Sequence, residues 1–91
     1  MKIDISTLGR SLVSRPLGRE AALALMANTL KALPAAEPIE LDFSNVLVLT
    51  PSWADEFIAA LRTQFSARLK IILGANASVR LALETIGEKV L

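Results

Sequence analysis

The chain has 91 residues, 53% of them hydrophobic, and a formal charge of +1. That length is one domain with enough apolar residues for a packed core, and so small a net charge argues against a nucleic acid or a membrane surface as partner. Histidine and cysteine are both absent, which removes disulfides, thiolate chemistry, the commonest general base and the commonest transition-metal ligand.

Taken in chain order, "KIDIS" alternates, with Ile3 and Ile5 on one side of a half-buried strand. Gly9-Arg10 is placed to turn the chain so that "SLV" returns beside it as a hairpin. Ser14-Arg15-Pro16 predicts a helix start, with a capping serine and a proline in the first turn, where a missing N–H costs nothing. Leu23, Met26, Leu30 and Leu33 recur at helical spacing as its inward stripe, and Pro34 and Pro38 bracket the loop that follows.

"IELDF" predicts a strand with Ile39, Leu41 and Phe43 on one face, and Asp42 suits an Asx-type turn to Ser44 and Asn45. "VLVL" reads as a short strand too buried to alternate. A second helix is expected from Ser52, with Ala54, Phe57, Ile58, Leu61 and Phe65 inward. "LKIIL" is the next strand. Asn76 or Ser78 then caps a third helix that buries Val79, Ala82, Leu83 and Ile86, and Gly87 loosens its end. Strands separated by helices predict an α/β domain over residues 1–91, with about four strands in a largely parallel or mixed sheet and three helices. No segment approaches the roughly 20 apolar residues of a membrane span, and Asp4 interrupts any apolar leader. The expectation is a soluble, cytoplasmic domain.

Ser14-Arg15 before the first helix, then "LDFSNV", then "SWADEF" opening the second, occur in order at fitting spacing. This pattern resembles the STAS-like family of small bacterial domains of unknown function, and more distantly the anti-sigma factor antagonists. The resemblance implies a STAS-like fold and a non-enzymatic signalling role through protein–protein contacts. In those antagonists a partner ATPase of the histidine-kinase type phosphorylates a serine heading a helix. Asp42, Ser44 and Val46 match the strand and turn of that motif, and Ser52 falls on the phosphorylated serine. Thr50, Pro51 and Trp53 differ from the residues usual around it.

Each residue near that serine also has a plainer role. Ser52 can cap the helix or serve as a regulated hydroxyl. Asp55 and Glu56 complement the positive helix end, and Asp55 can close a capping box with Ser52. The pair can instead bind Arg15, Arg19 or a basic partner. Trp53 is either half-buried core or a partly exposed interface anchor. Arg10, Arg15 and Arg19 cluster where the helix dipole disfavours cations, so a partner is expected, internal or external. "GANAS" is a weaker anion-cradle candidate.

The leading expectation is a regulatory interaction module with no cofactor, no metal site and no catalytic residues. Thr50, Ser52, Trp53, Asp55, Glu56, Arg15 and Arg19 form its candidate surface, and its partner is a kinase-like ATPase or another regulator. The alternatives are a self-associating module, a homodimer through "KIDIS" and Trp53, and a small-ligand or anion sensor.

Overall fold

The computed structural model describes residues 1–88. Among these are β1 (Lys2–Asp4), β2 (Ser11–Leu12), α1 (Arg15–Asn28), β3 (Ile39–Asp42), β4 (Val48–Leu49), α2 (Pro51–Phe65), β5 (Leu69–Ile72) and α3 (Ala77–Thr85). Every strand pairing is parallel. β3 lies between β1 and β5 in one sheet, and β2 pairs with β4 in a second, two-stranded one. The fold is the expected α/β class, with one strand more than expected.

The N-terminal hairpin does not form. Asp4 accepts hydrogen bonds from the Ser6 amide (3.0 Å) and hydroxyl (2.7 Å), which turns the chain into a 3-10 helix over Ile5–Leu8. "SLV" therefore leaves the first sheet instead of folding back along it. The Arg10 carbonyl accepts from the amides of Leu47 and Val48 (both 2.9 Å), and the Leu12 carbonyl accepts from Thr50 (3.0 Å).

The period-2 alternation of strands divides the three-stranded sheet into two unlike faces. Ile3, Leu41, Ile39 and Leu69 are buried on one, continued by Phe43 beyond β3. On the other, Lys2, Glu40 and Lys70 stand in one row and Asp4, Asp42 and Ile72 in the next. Asp42 is only 6% exposed. Its Oδ1 accepts the Ser44 amide at 3.0 Å, the expected Asx turn, and Lys2 Nζ lies 3.5 Å from Oδ2. Ser44, through hydroxyl and amide, and then Lys2 outweigh the effect of burial and hold the Asp42 carboxyl below its ordinary value.

α1 presents a different stripe from the one its leucines suggest. Gly18, Ala22 and Leu25 are buried, whereas Leu23 is 49% exposed and Met26 half-buried; of the expected stripe, Leu30 is buried and Leu33 packs against the core, both just past the end of α1. The reason is the closeness of α2. A Cβ added at Gly18 would lie 2.5 Å from the Trp53 carbonyl oxygen. Small residues let the two backbones meet, and larger ones are turned to the flanks. β4 also departs from expectation. Val46 and Leu49 are buried while Leu47 and Val48 are 54% and 42% exposed; among the described residues β4 pairs with no strand but the two-residue β2.

α2 buries Ala54, Phe57, Ile58, Leu61 and Phe65, as expected, and Trp53 in addition. α3 buries Val79, Ala82 and Leu83, with Ile86 partly buried at its C-terminal end and Gly87 at φ +84° just beyond. No helix among the described residues is long and apolar enough to cross a membrane.

Candidate functional site

The start of α2 is stitched to the end of β2 by one residue. The Thr50 amide donates to the Leu12 carbonyl (3.0 Å), and its hydroxyl donates to the Val13 carbonyl (3.1 Å). The same Oγ1 accepts the Trp53 amide at 3.4 Å, which makes Thr50 the N-cap, with Pro51 as the first helical residue. The expected cap at Ser52 is therefore corrected by two positions. Proline favours the first helical position and holds the residue before it extended, and Thr50 has φ −99° and ψ 152°. Thr50→Ala is expected to lower unfolding free energy by about 1–2 kcal/mol, and Ser52→Ala by less than about 0.5 kcal/mol. Urea denaturation of both variants checks the assignment.

Relieved of capping, Ser52 stands half-buried in the first turn, and among the described residues its hydroxyl has no hydrogen-bond partner. Asp55 and Glu56 follow at i+3 and i+4, so all three share the face of α2 opposite its buried stripe. Arg15 crosses to this face from α1. Its Nη1 lies 3.2 Å from Asp55 Oδ2 and 3.2 Å from Glu56 Oε1. Glu56 first and Asp55 second raise the guanidinium's pKa further, so Arg15 is a permanent cation here. Arg15, Asp55 and Glu56 retain 51%, 54% and 28% side-chain exposure. Pairs this wet exchange partners readily.

The other arginines do not join this group. Arg19 lies one turn along α1 and Arg10 before β2. Both are exposed, and neither forms an ion pair within the described residues. Trp53 belongs to the core and is not an exposed anchor. It is 2% exposed and stacked on Phe57, with ring centroids 4.6 Å apart at 21°. In "GANAS", Asn76 Oδ1 caps α3 by accepting from the amides of Ser78 (2.8 Å) and Val79 (3.3 Å), while Nδ2 donates to the Leu47 carbonyl (2.9 Å). Two of the amides at the start of α3 are thereby already engaged.

A feature not anticipated from sequence is a groove of about 370 Å³ between β2 and α1, lined by Leu12, Val13, Leu17 and Ala21 and reaching Trp53. Val13 and Leu17 are 53% and 57% exposed. The signal available was their position on either side of a helix start, outside any inward stripe.

A family described as a STAS-like domain of unknown function (DUF4325) matches residues 21–79, more than half of the chain. The chain belongs to this STAS-like family. No curated protein and no solved structure matches it. The matched part of the STAS-like domain includes Thr50, Ser52, Asp55 and Glu56 and stops short of Arg15 and Arg19. The ion pairs over α2 therefore join two residues inside the matched span, Asp55 and Glu56, to one outside it, Arg15.

Proposed function

We propose that this STAS-like domain is a regulatory protein-interaction module. Its working surface is the outward face at the start of α2, switched by phosphorylation of Ser52 by a partner ATPase of the histidine-kinase type. The observation that carries the reading is the division of labour at the helix start. Thr50 does the capping, so the half-exposed Ser52 hydroxyl can be modified without unravelling the helix.

A phosphate there would meet the positive end of α2, which favours it, and the carboxylates of Asp55 and Glu56, which oppose it. Arg15 resolves the conflict, because a guanidinium pairs with a phosphate at least as well as with carboxylates. Moving from Asp55 and Glu56 to the phosphate, it would leave the acidic pair uncompensated. Modification then adds about −1.5 to −2 of charge at one helix end and also unmasks two more charges. The apolar Val13 and Leu17 border the same helix start through Thr50 and would supply contact area.

The test is partner capture with tagged wild-type, Ser52→Ala and Ser52→Asp chains from the cells that make the protein. Ser52→Asp is expected to lower recovery of a recurring partner about tenfold or more, a change of roughly 1.4 kcal/mol. Ser52→Ala should retain it. Equal recovery with all three chains would remove the switch.

A further inference from the structure

We propose that β5 is a self-pairing edge, and that two copies of this chain join through it, antiparallel, about a two-fold axis at Ile71. β5 ends the order β1-β3-β5. The Phe43 amide donates to the Ile72 carbonyl at 2.9 Å. In a parallel ladder alternate residues serve the same neighbour, so Lys70 and Ile72 bond β3, and the backbone groups of Ile71 and Leu73 point the other way. Among the described residues the Ile71 and Leu73 amides have no backbone partner. Ile71, Ile72 and Leu73 are all partly exposed. α3, the next element, packs against α2 and β4.

The remaining edges are guarded in the ways proteins guard them. β1 has three residues, two of them charged. It ends at Asp4, whose carbonyl accepts the Thr7 hydroxyl at 2.7 Å. β2 and β4 have two residues each. β5 with Leu73 offers "LKIIL", whose single charge, Lys70, points away from the core face.

That segment is complementary to itself. Antiparallel pairing about Ile71 sets Ile71 opposite its own copy, Leu69 opposite Leu73 and Lys70 opposite Ile72. The outward-pointing Ile71 groups then form a hydrogen-bonded pair with the same groups of the second copy. The Leu73 amide can donate to the Leu69 carbonyl of that copy. Leu69, Ile71 and Leu73 become a continuous apolar row on the core face. The two lysines sit diagonally and avoid each other, each beside Glu40 in its own sheet. So short a joint buries well under the roughly 1,200 Å² of a standard interface, so the dimer is weak and reversible, micromolar to millimolar. This surface is separate from Ser52, so the two proposals fail independently.

Ile72 provides the test because it lies on the polar face, opposite Asp42 in its own sheet and opposite Lys70 of the second copy. Sedimentation of the 91-residue chain from about 10 μM to 1 mM is compared for wild type, Ile72→Lys and Ile72→Glu, with a thermal melt of each. Wild type is expected to dimerise within that range. Ile72→Lys should weaken the dimer about tenfold, since the repulsion occurs twice across the axis, without lowering the melting temperature. Ile72→Glu should keep or tighten the dimer yet melt lower, because it faces Asp42. Such opposite signs are what a purely structural role for Ile72 would not produce. A monomer at every concentration, a dimer indifferent to both changes, or equal weakening by both would overturn the proposal.

Discussion

Replacing Trp53 with alanine is expected to destabilise the fold by about 3–5 kcal/mol, the usual cost of emptying a large buried aromatic site. The side chain is 2% exposed and its ring lies on Phe57 at 4.6 Å, so packing atoms and the aromatic stack are lost together. Small domains have about 5–15 kcal/mol in all, and this loss removes a large share of it. Trp53→Phe keeps a ring against Phe57 and is expected to lose less than half as much. Trp53 is the chain's single tryptophan, so its fluorescence follows unfolding directly, with blue-shifted emission in the native state. An anchor for a partner would behave in the opposite way, leaving stability nearly unchanged on truncation while binding collapsed.

Gly18→Ala should destabilise by about 2 kcal/mol or more, although alanine is the better helix former by about 1 kcal/mol. The new Cβ would sit 2.5 Å from the Trp53 carbonyl oxygen. A backbone atom cannot swing aside as a flexible side chain can, so α1 must move off α2. Leu25 and Ala22 would lose packing in the same shift. Ala24→Gly, at an exposed site on the same helix, calibrates propensity alone and should cost about 1 kcal/mol. Denaturant unfolding of both variants separates close packing from helix preference. A stabilised Gly18→Ala would mean that the helices are not held this close.

Much of this architecture was legible because local chemistry and tertiary packing agree. The stripe Ala54, Phe57, Ile58, Leu61 and Phe65 is wide and regular, and α2 buries all of it. Of the two caps open for α3, Asn76 and Ser78, the structure selects Asn76, whose carbonyl group reaches two amides at once. Asp42 meets Ser44 in the turn that its short side chain favours. The cap of α2 is Thr50 and not the expected Ser52, although the signal for it is present in the sequence. Both Thr50 and Ser52 can cap, and Pro51 between them decides in favour of Thr50. Of the stripe expected for α1, Leu30 is buried and Met26 and Leu33 pack against the core, but Leu23 turns outward, because hydrophobicity draws attention to leucines whereas helix-to-helix closeness selects Gly18 and Ala22. The pairing of β2 with β4 had no local signal at all. It joins residues far apart in sequence, and Gly9-Arg10 looks like a hairpin turn until Asp4 is seen to wind the chain into a 3-10 helix. At the candidate site, the ion pair of Arg15 with Asp55 and Glu56 was one of several pairings open from sequence, and geometry selected it.

The measurement that bears most directly on the regulatory reading is site-resolved phosphopeptide mass spectrometry of the chain purified from the cells that make it. The sequence holds seven serines, at positions 6, 11, 14, 44, 52, 66 and 78, so the result distinguishes a site from a background. A phosphate on Ser52, varying with growth condition and absent from the capping Ser14, is the predicted result. Ser52 unmodified under every condition in which the protein is made would contradict the switch and leave the start of α2 as an ordinary capped helix.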